Sequence, residues 1–167
     1  MLRPQDFLVT LHRLLHPEQR LLAQMATGLR MSVSVVHRAL ANARAASLVT
    51  GEGEAIRANV LEFAVHGARY SFFPVRVGAN VRGVATAGAA PGLGDRLVGS
   101  ATIVWPAAEG KVRGEGLEPI HASAPRLVAD DPAMYLVLAA VDLLRVGGAR
   151  EREVAAAVLR ASLGGRG

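Results

Sequence analysis

The stretch Ala26–Leu40, ATGLRMSVSVVHRAL, decides how this chain reads. It holds the residue types that two helices need to cross around a tight turn. Ala26 is small where helices approach closely, Leu29 is apolar before the turn, and Met31 can plug the corner after it. Ser32 offers a hydroxyl that can accept a hydrogen bond from an unpaired N–H in the first turn of a new helix. Behind it Val36, Leu40 and Ala43 recur at spacings of four and three, so they share the inward face of a helix over 33–46. Ser34, His37, Arg38, Ala41 and Arg44 then fall on the opposite side. The residue after Leu29 is Arg30, where such turns commonly carry glycine; Gly28, two residues before it, reads as the break.

Working outward, residues 4–16 read as a helix. Pro4 suits the first helical position, and Phe7, Leu8, Leu11, Leu14 and Leu15 form one apolar face. Pro17 ends it and opens a second helix, over 17–28, with Leu21, Leu22, Met25 and Ala26 in phase. Downstream, Leu48–Val49 and Ala55–Ile56–Arg57 flank a polar turn at Thr50–Glu54, the pattern of a small β-hairpin. Asn59 with Glu62 has capping-box spacing and opens a fourth helix through Leu61, Ala64, Val65 and Ala68.

Over about residues 4–70, and most specifically over Ala26–Leu40, this pattern resembles the winged helix-turn-helix of bacterial transcription regulators, loosely of the MarR type. The resemblance implies a sequence-specific regulator of double-stranded DNA, with helix 33–46 in the major groove, which is wide enough to admit it. The expected DNA-binding residues are Ser32, Ser34, His37, Arg38, Arg44 and Arg57. Arginine can pair with guanine or contact phosphate; serine and histidine can bond phosphates or base edges. The hairpin carries Glu52 and Glu54, which phosphate would repel, so it is not expected to supply affinity. Reading two half-sites calls for a homodimer. The alternative is a winged-helix protein-interaction adaptor or antitoxin-like component, in which Arg38 and Arg44 are solvated and a protein partner replaces DNA.

The chain then divides by composition. Residues 1–73 form the winged helix-turn-helix unit, 74–116 a Gly-rich loop and hairpin segment, and 117–167 a C-terminal helical segment. In the middle segment, brief strands are expected around Val75–Val77 and Val81–Val84. A second hairpin is expected between Ile103–Trp105 and Lys111–Arg113. In the last segment Asp131 caps a helix that starts at Pro132, with Leu136, Ala139, Leu143 and Leu144 as a stripe. Gly147–Gly148 ends that helix, and a final one runs over 149–163 with Val154 and Val158 inward. Two apolar stripes on two short helices suggest a self-association surface; cover by the middle segment and Trp105 is the competing expectation. Tyr70, Phe72, Phe73 and Trp105 read as core joining the first two segments. The fold class expected is mainly α with small β-hairpins.

Composition narrows the function classes. Half the 167 residues are hydrophobic and a fifth charged, a globular balance. The net charge is +5, Lys111 is the only lysine, and cysteine is absent. Disulfide scaffolds, thiol nucleophiles and cysteine zinc sites are therefore excluded. The positive excess lies in residues 1–60 and 61–113, at +3 each, while 114–167 balances at −1; an anionic partner would be met in the first two. No uncharged run is long enough for a bilayer and no export signal opens the chain, so no membrane association and a cytoplasmic location are expected. No phosphate-binding glycine loop and no GxSxG motif is present; no catalytic residue and no cofactor is expected, and the protein does not read as an enzyme. His12 and His16 are spaced to share a helix face. No third ligand is adjacent in sequence, so they read as a surface pair and no metal is expected. His66 and His121 are isolated, and Asp130–Asp131 reads as a helix N-terminal pair.

Overall fold

The computed structural model describes residues 1–165. It is mainly helical with one small sheet. The order is α1 (Pro4–Leu15), α2 (Leu22–Leu29), α3 (Val33–Ala45), α4 (Arg57–Glu62), a π-helical turn Phe63–Gly67 and α5 (Ala68–Ser71). Then come β1 (Val81–Thr86), β2 (Ile103–Pro106), β3 (Val112–Gly116), α6 (Ala124–Leu127), α7 (Pro132–Val146) and α8 (Ala149–Leu163).

Both ends of the α2–α3 unit follow from backbone geometry. Helix α2 closes with Arg30 in the left-handed region at φ 54°. The Met31 N–H bonds Ala26 O at 2.9 Å and the Arg30 N–H bonds Thr27 O at 3.2 Å, the paired bonds of a Schellman ending. Arg30 thus holds the conformation that glycine more easily adopts. Gly28 lies within α2 instead. Its missing side chain makes room for His12, whose Cε1 would be 3.1 Å from an added Cβ. Helix α3 ends the same way, with Ser47 at φ 59° and bonds from Leu48 N to Ala43 O and from Ser47 N to Arg44 O. The hairpin that follows is minimal: one antiparallel bridge, Val49–Ala55, with Thr50 N to Glu54 O and Ile56 N to Leu48 O around it.

Several expectations need correcting. Helix α2 begins at Leu22 rather than at 17, because residues 17–20 are held in a turn: the Arg13 guanidinium takes Pro17 O and Gln19 reaches His12. Ala39, not Leu40, completes the buried row of α3 with Val36 and Ala43. Asn59 does not cap α4, which already begins at Arg57; its amide donates to Ser47 O. The π turn in that helix carries Phe63 over Gly67 and against Phe7 and Phe72, with ring centroids 5.1 and 5.8 Å away. Phe72 and Trp105 are core residues, whereas Tyr70 and Phe73 are exposed.

The middle segment is more ordered than a loop. Val75–Val77 makes only an isolated bridge, Arg76–Leu117, but β1 forms as expected. The second hairpin does not. The second half of β1 pairs antiparallel with β2 and its first half with β3, so β2 and β3 run parallel and close a small barrel. Parallel neighbours normally need a long crossover. Here the turn at 107–111 suffices because Gly83, where β1 changes partner, and Gly110 pack backbone to backbone; a Cβ on either would overlap the chain it faces. Ala87, Ala90, Leu93 and Leu97 anchor the rest of the Gly-rich stretch in the core.

One buried apolar cluster draws on all three composition segments. At its centre α7 is buried along Val137–Arg145. Asp142 accepts from Thr86 Oγ1 (2.8 Å), Trp105 Nε1 (2.6 Å) and an Arg145 nitrogen (2.7 Å). Arg145 also donates to Phe72 O and Phe73 O. This network ties the barrel to α7 and to the end of α5. Burial pushes the Asp142 carboxyl up from its ordinary range, while Arg145 and the two other donors pull the opposite way. The stripe on α7 that suggested self-association is covered within the chain, by α8 and by the middle segment with Trp105. No helix is long and apolar enough to cross a membrane among the described residues.

Candidate functional site

Helix α3 presents Ser32, Ser34, His37, Arg38, Ala41 and Arg44 to solvent, on the side opposite Val36, Ala39 and Ala43. The helix is pinned from behind. Asn42 Nδ2 donates at 3.0 Å to Asp6 Oδ2 of α1, a buried carboxylate that also accepts from Arg3 N at 2.8 Å. The predicted site residues then divide by what they already bond. Ser32 is the N-cap, its Oγ accepting from Val35 N at 3.3 Å and lying 3.1 Å from Ser34 Oγ. Arg44 donates to Thr50 O at 3.1 Å and so steadies the hairpin against α3. The side chains of His37 and Arg38 make no hydrogen bond or ion pair among the described residues. Arg57 departs from the set. Its guanidinium turns away to the C-terminal end of α8, where it bonds Leu163 O.

The hairpin also differs in electrostatics from what its sequence suggests. Arg13, buried on α1, donates to Gly53 O at 2.9 Å and lies 2.8 Å from Glu54 Oε1. Glu54 is thereby neutralised from below. Glu52 is fully exposed, and its carboxyl is held below the ordinary range by backbone and Thr50 hydrogen bonds, with the Arg44 charge as a smaller cause. Between the hairpin, α2 and α3 lies a concavity of about 250 Å³ lined by Arg20, His37, Arg44 and Glu52 among others.

A second cluster lies at the C-terminal end of α1. His12 and His16 are not a surface pair: His12 is 1% exposed, and the ring centroids are 4.6 Å apart. The third member, Asp131, is far away in sequence and arrives as the N-cap of α7. Its Oδ2 lies 2.7 Å from His16 Nε2 and 3.9 Å from His12 Nδ1. Burial, the largest cause, holds the His12 pKa below the ordinary value; a hydrogen bond to Gln19 opposes it. Beside this cluster Arg30 pairs with Asp130 at 2.7 Å, joining the α2–α3 turn to the segment before α7. Two histidines four apart are visible in the sequence; the carboxylate that joins them is not.

Comparison of the chain with protein-family models, with curated proteins and with solved structures returns no match.

Proposed function

We propose that the protein is a sequence-specific double-stranded DNA-binding transcriptional regulator of winged helix-turn-helix type, reading the major groove with α3. The observation that carries this reading is the outward row Ser34, His37, Arg38 on α3, with His37 and Arg38 engaged by nothing else among the described residues. A helix of 13 residues is about 20 Å long, enough to lie along a groove about 12 Å wide. Its hydrogen bond from Asn42 to Asp6 ties it to α1, and Schellman-type junctions fix the turns at its two ends, so little backbone freedom would be lost on binding. Arg44 is a candidate phosphate contact beside this row, and Arg57 leaves the proposed set. A second copy would supply the second half-site, docked through a surface other than the buried stripe of α7.

The test is the Arg38→Ala variant on a duplex selected by the wild-type protein. A base contact predicts a loss of roughly 1–3 kcal/mol and relaxed specificity at one position; a phosphate contact predicts uniform weakening and a shallower salt dependence. Unchanged affinity at matched salt, with the helical spectrum intact, would overturn the assignment. The acidic residue left exposed on the hairpin, Glu52, favours a second reading as a protein-interaction adaptor. That reading predicts one stoichiometric protein partner and no salt-dependent binding to duplex DNA.

A further inference from the structure

We propose that His12, His16 and Asp131 bind one divalent transition-metal ion of the zinc class, with water in the fourth position, and so clamp the C-terminal end of α1 to the start of α7. The inference is independent of the DNA-binding reading. Its donors are His12 Nδ1, His16 Nε2 and Asp131 Oδ2, and the ligand atoms of the three residues lie within 4.8 Å of one another. Two imidazoles and a carboxylate are a donor set suited to Zn²⁺, and also to Co²⁺ or Ni²⁺.

The observation that points to a ligand is His12 Nδ1. It is buried and has no hydrogen-bond partner among the described residues. A buried nitrogen left unpaired is costly, because it has given up water and gained no partner. The other ring nitrogen explains which tautomer is present. Nε2 lies 2.9 Å from Gln19 Oε1, which can only accept, so Nε2 carries the proton and the Nδ1 lone pair faces Asp131. Gly28 keeps the space over this ring clear.

Each of the other two donors also has a polar group on its outer side. His16 has Glu18 Oε1 3.4 Å from its Nδ1, leaving Nε2 toward the cluster. Asp131 accepts from Met134 N through Oδ1 at 3.0 Å, which turns Oδ2 inward to His16 Nε2, 2.7 Å away; an ion would replace the proton that this pair shares. An amide or carboxylate behind each imidazole is the usual outer shell of a metal site, fixing tautomer and ring orientation. Tetrahedral zinc with bonds near 2.0–2.1 Å places its donors about 3.3 Å apart. The two nitrogen–oxygen separations, 2.7 and 3.9 Å, reach that value by adjustments of about 0.6 Å in opposite senses. The His16 and Asp131 side chains remain 23% and 13% exposed, which gives an ion and one water a way in.

The full chain, stripped with a chelator and then titrated with Zn²⁺ against a chromophoric competitor, tests this. One ion per chain with a dissociation constant below about 10 µM is expected, and Co²⁺ should give visible absorption bands of a low-coordinate site. Asp131→Asn keeps the Oδ1 cap of α7, and His16→Ala removes a partly exposed ring; each should weaken Zn²⁺ binding by at least about 100-fold. Gln19→Ala should weaken it by about 10–100-fold without removing a ligand. His66→Ala, at an exposed histidine elsewhere, should leave it unchanged. Zinc should raise the melting midpoint of the wild type and not of Asp131→Asn. Binding weaker than that limit, or equal in the wild type, Asp131→Asn and Gln19→Ala, would overturn the proposal. If His16→Ala does not fold, those two variants decide it.

Discussion

Asp142→Ala tests the interior of this protein most sharply. The carboxylate is 2% exposed and receives three donors: the Thr86 hydroxyl, the Trp105 indole N–H and the Arg145 guanidinium. Truncation strands a buried cation, and breaking such a pair costs about 3–5 kcal/mol. It also leaves two neutral donors without an acceptor, in surroundings where Thr86 and Trp105 are 0% and 1% exposed. The expected loss is at least about 5 kcal/mol. Against a domain stability of about 5–15 kcal/mol this brings the chain close to unfolding. Asp142→Asn has the same volume but only one oxygen. It cannot accept on both the Arg145 side and the Trp105 side and carries no charge to pair with Arg145, so about 3–5 kcal/mol should be lost. Adding Arg145→Met to Asp142→Ala removes the stranded charge, so the double variant should recover at least about 2 kcal/mol relative to additivity. Urea titrations followed both by the single tryptophan and by helical ellipticity provide the values. A loss below about 1 kcal/mol for Asp142→Ala, at unchanged denaturant slope, would refute the view that this network joins the barrel to α7.

Further predictions concern turns, protonation and the hairpin. Ser47→Gly should raise stability by about 0.5–1 kcal/mol in the same titration, because Ser47 is exposed and sits at φ 59° without a side-chain hydrogen bond. His121 Nδ1 accepts from Ser123 N at 3.1 Å, and burial, then the Arg126 charge, hold its pKa below the ordinary value. The unfolded chain therefore takes up this proton first. The stability His121 contributes is complete above about pH 6.5 and falls as pH drops below it, and His121→Asn should flatten that part of the acid slope. Glu54→Gln should cost about 0.5–1 kcal/mol, since it unpairs buried Arg13, whereas Glu52→Gln, at an exposed carboxylate, should have a smaller effect. On duplex DNA, Glu52→Gln should bind equally or more tightly, with a gain that shrinks as salt rises; a marked loss of affinity would refute hairpin repulsion.

Local pattern alone was enough for the course of α1, α3, α7 and α8 and for one face of α3. Val36 and Ala43 recur at helical spacing, Ser32 stands where a cap must stand, and so His37, Arg38 and Arg44 had to face outward. Asp131 capping α7 at Pro132 is legible for the same reason: a cap and its helix are neighbours in sequence. What escaped the sequence depends on partners remote along the chain. Arg57 falls beside the hairpin in sequence, yet the end of α8 claims its guanidinium. Gly28 reads as a helix break because a glycine's local meaning is flexibility; packed, it is the space His12 needs, while Arg30 takes the left-handed turn. The strands β2 and β3 look like a hairpin until β1 pairs with both, a choice made by backbone contacts at Gly83 and Gly110. His12 and His16 announce half a cluster at helical spacing. Only the tertiary fold, by seating the start of α7 against the end of α1, places a carboxylate 2.7 Å from one and 3.9 Å from the other.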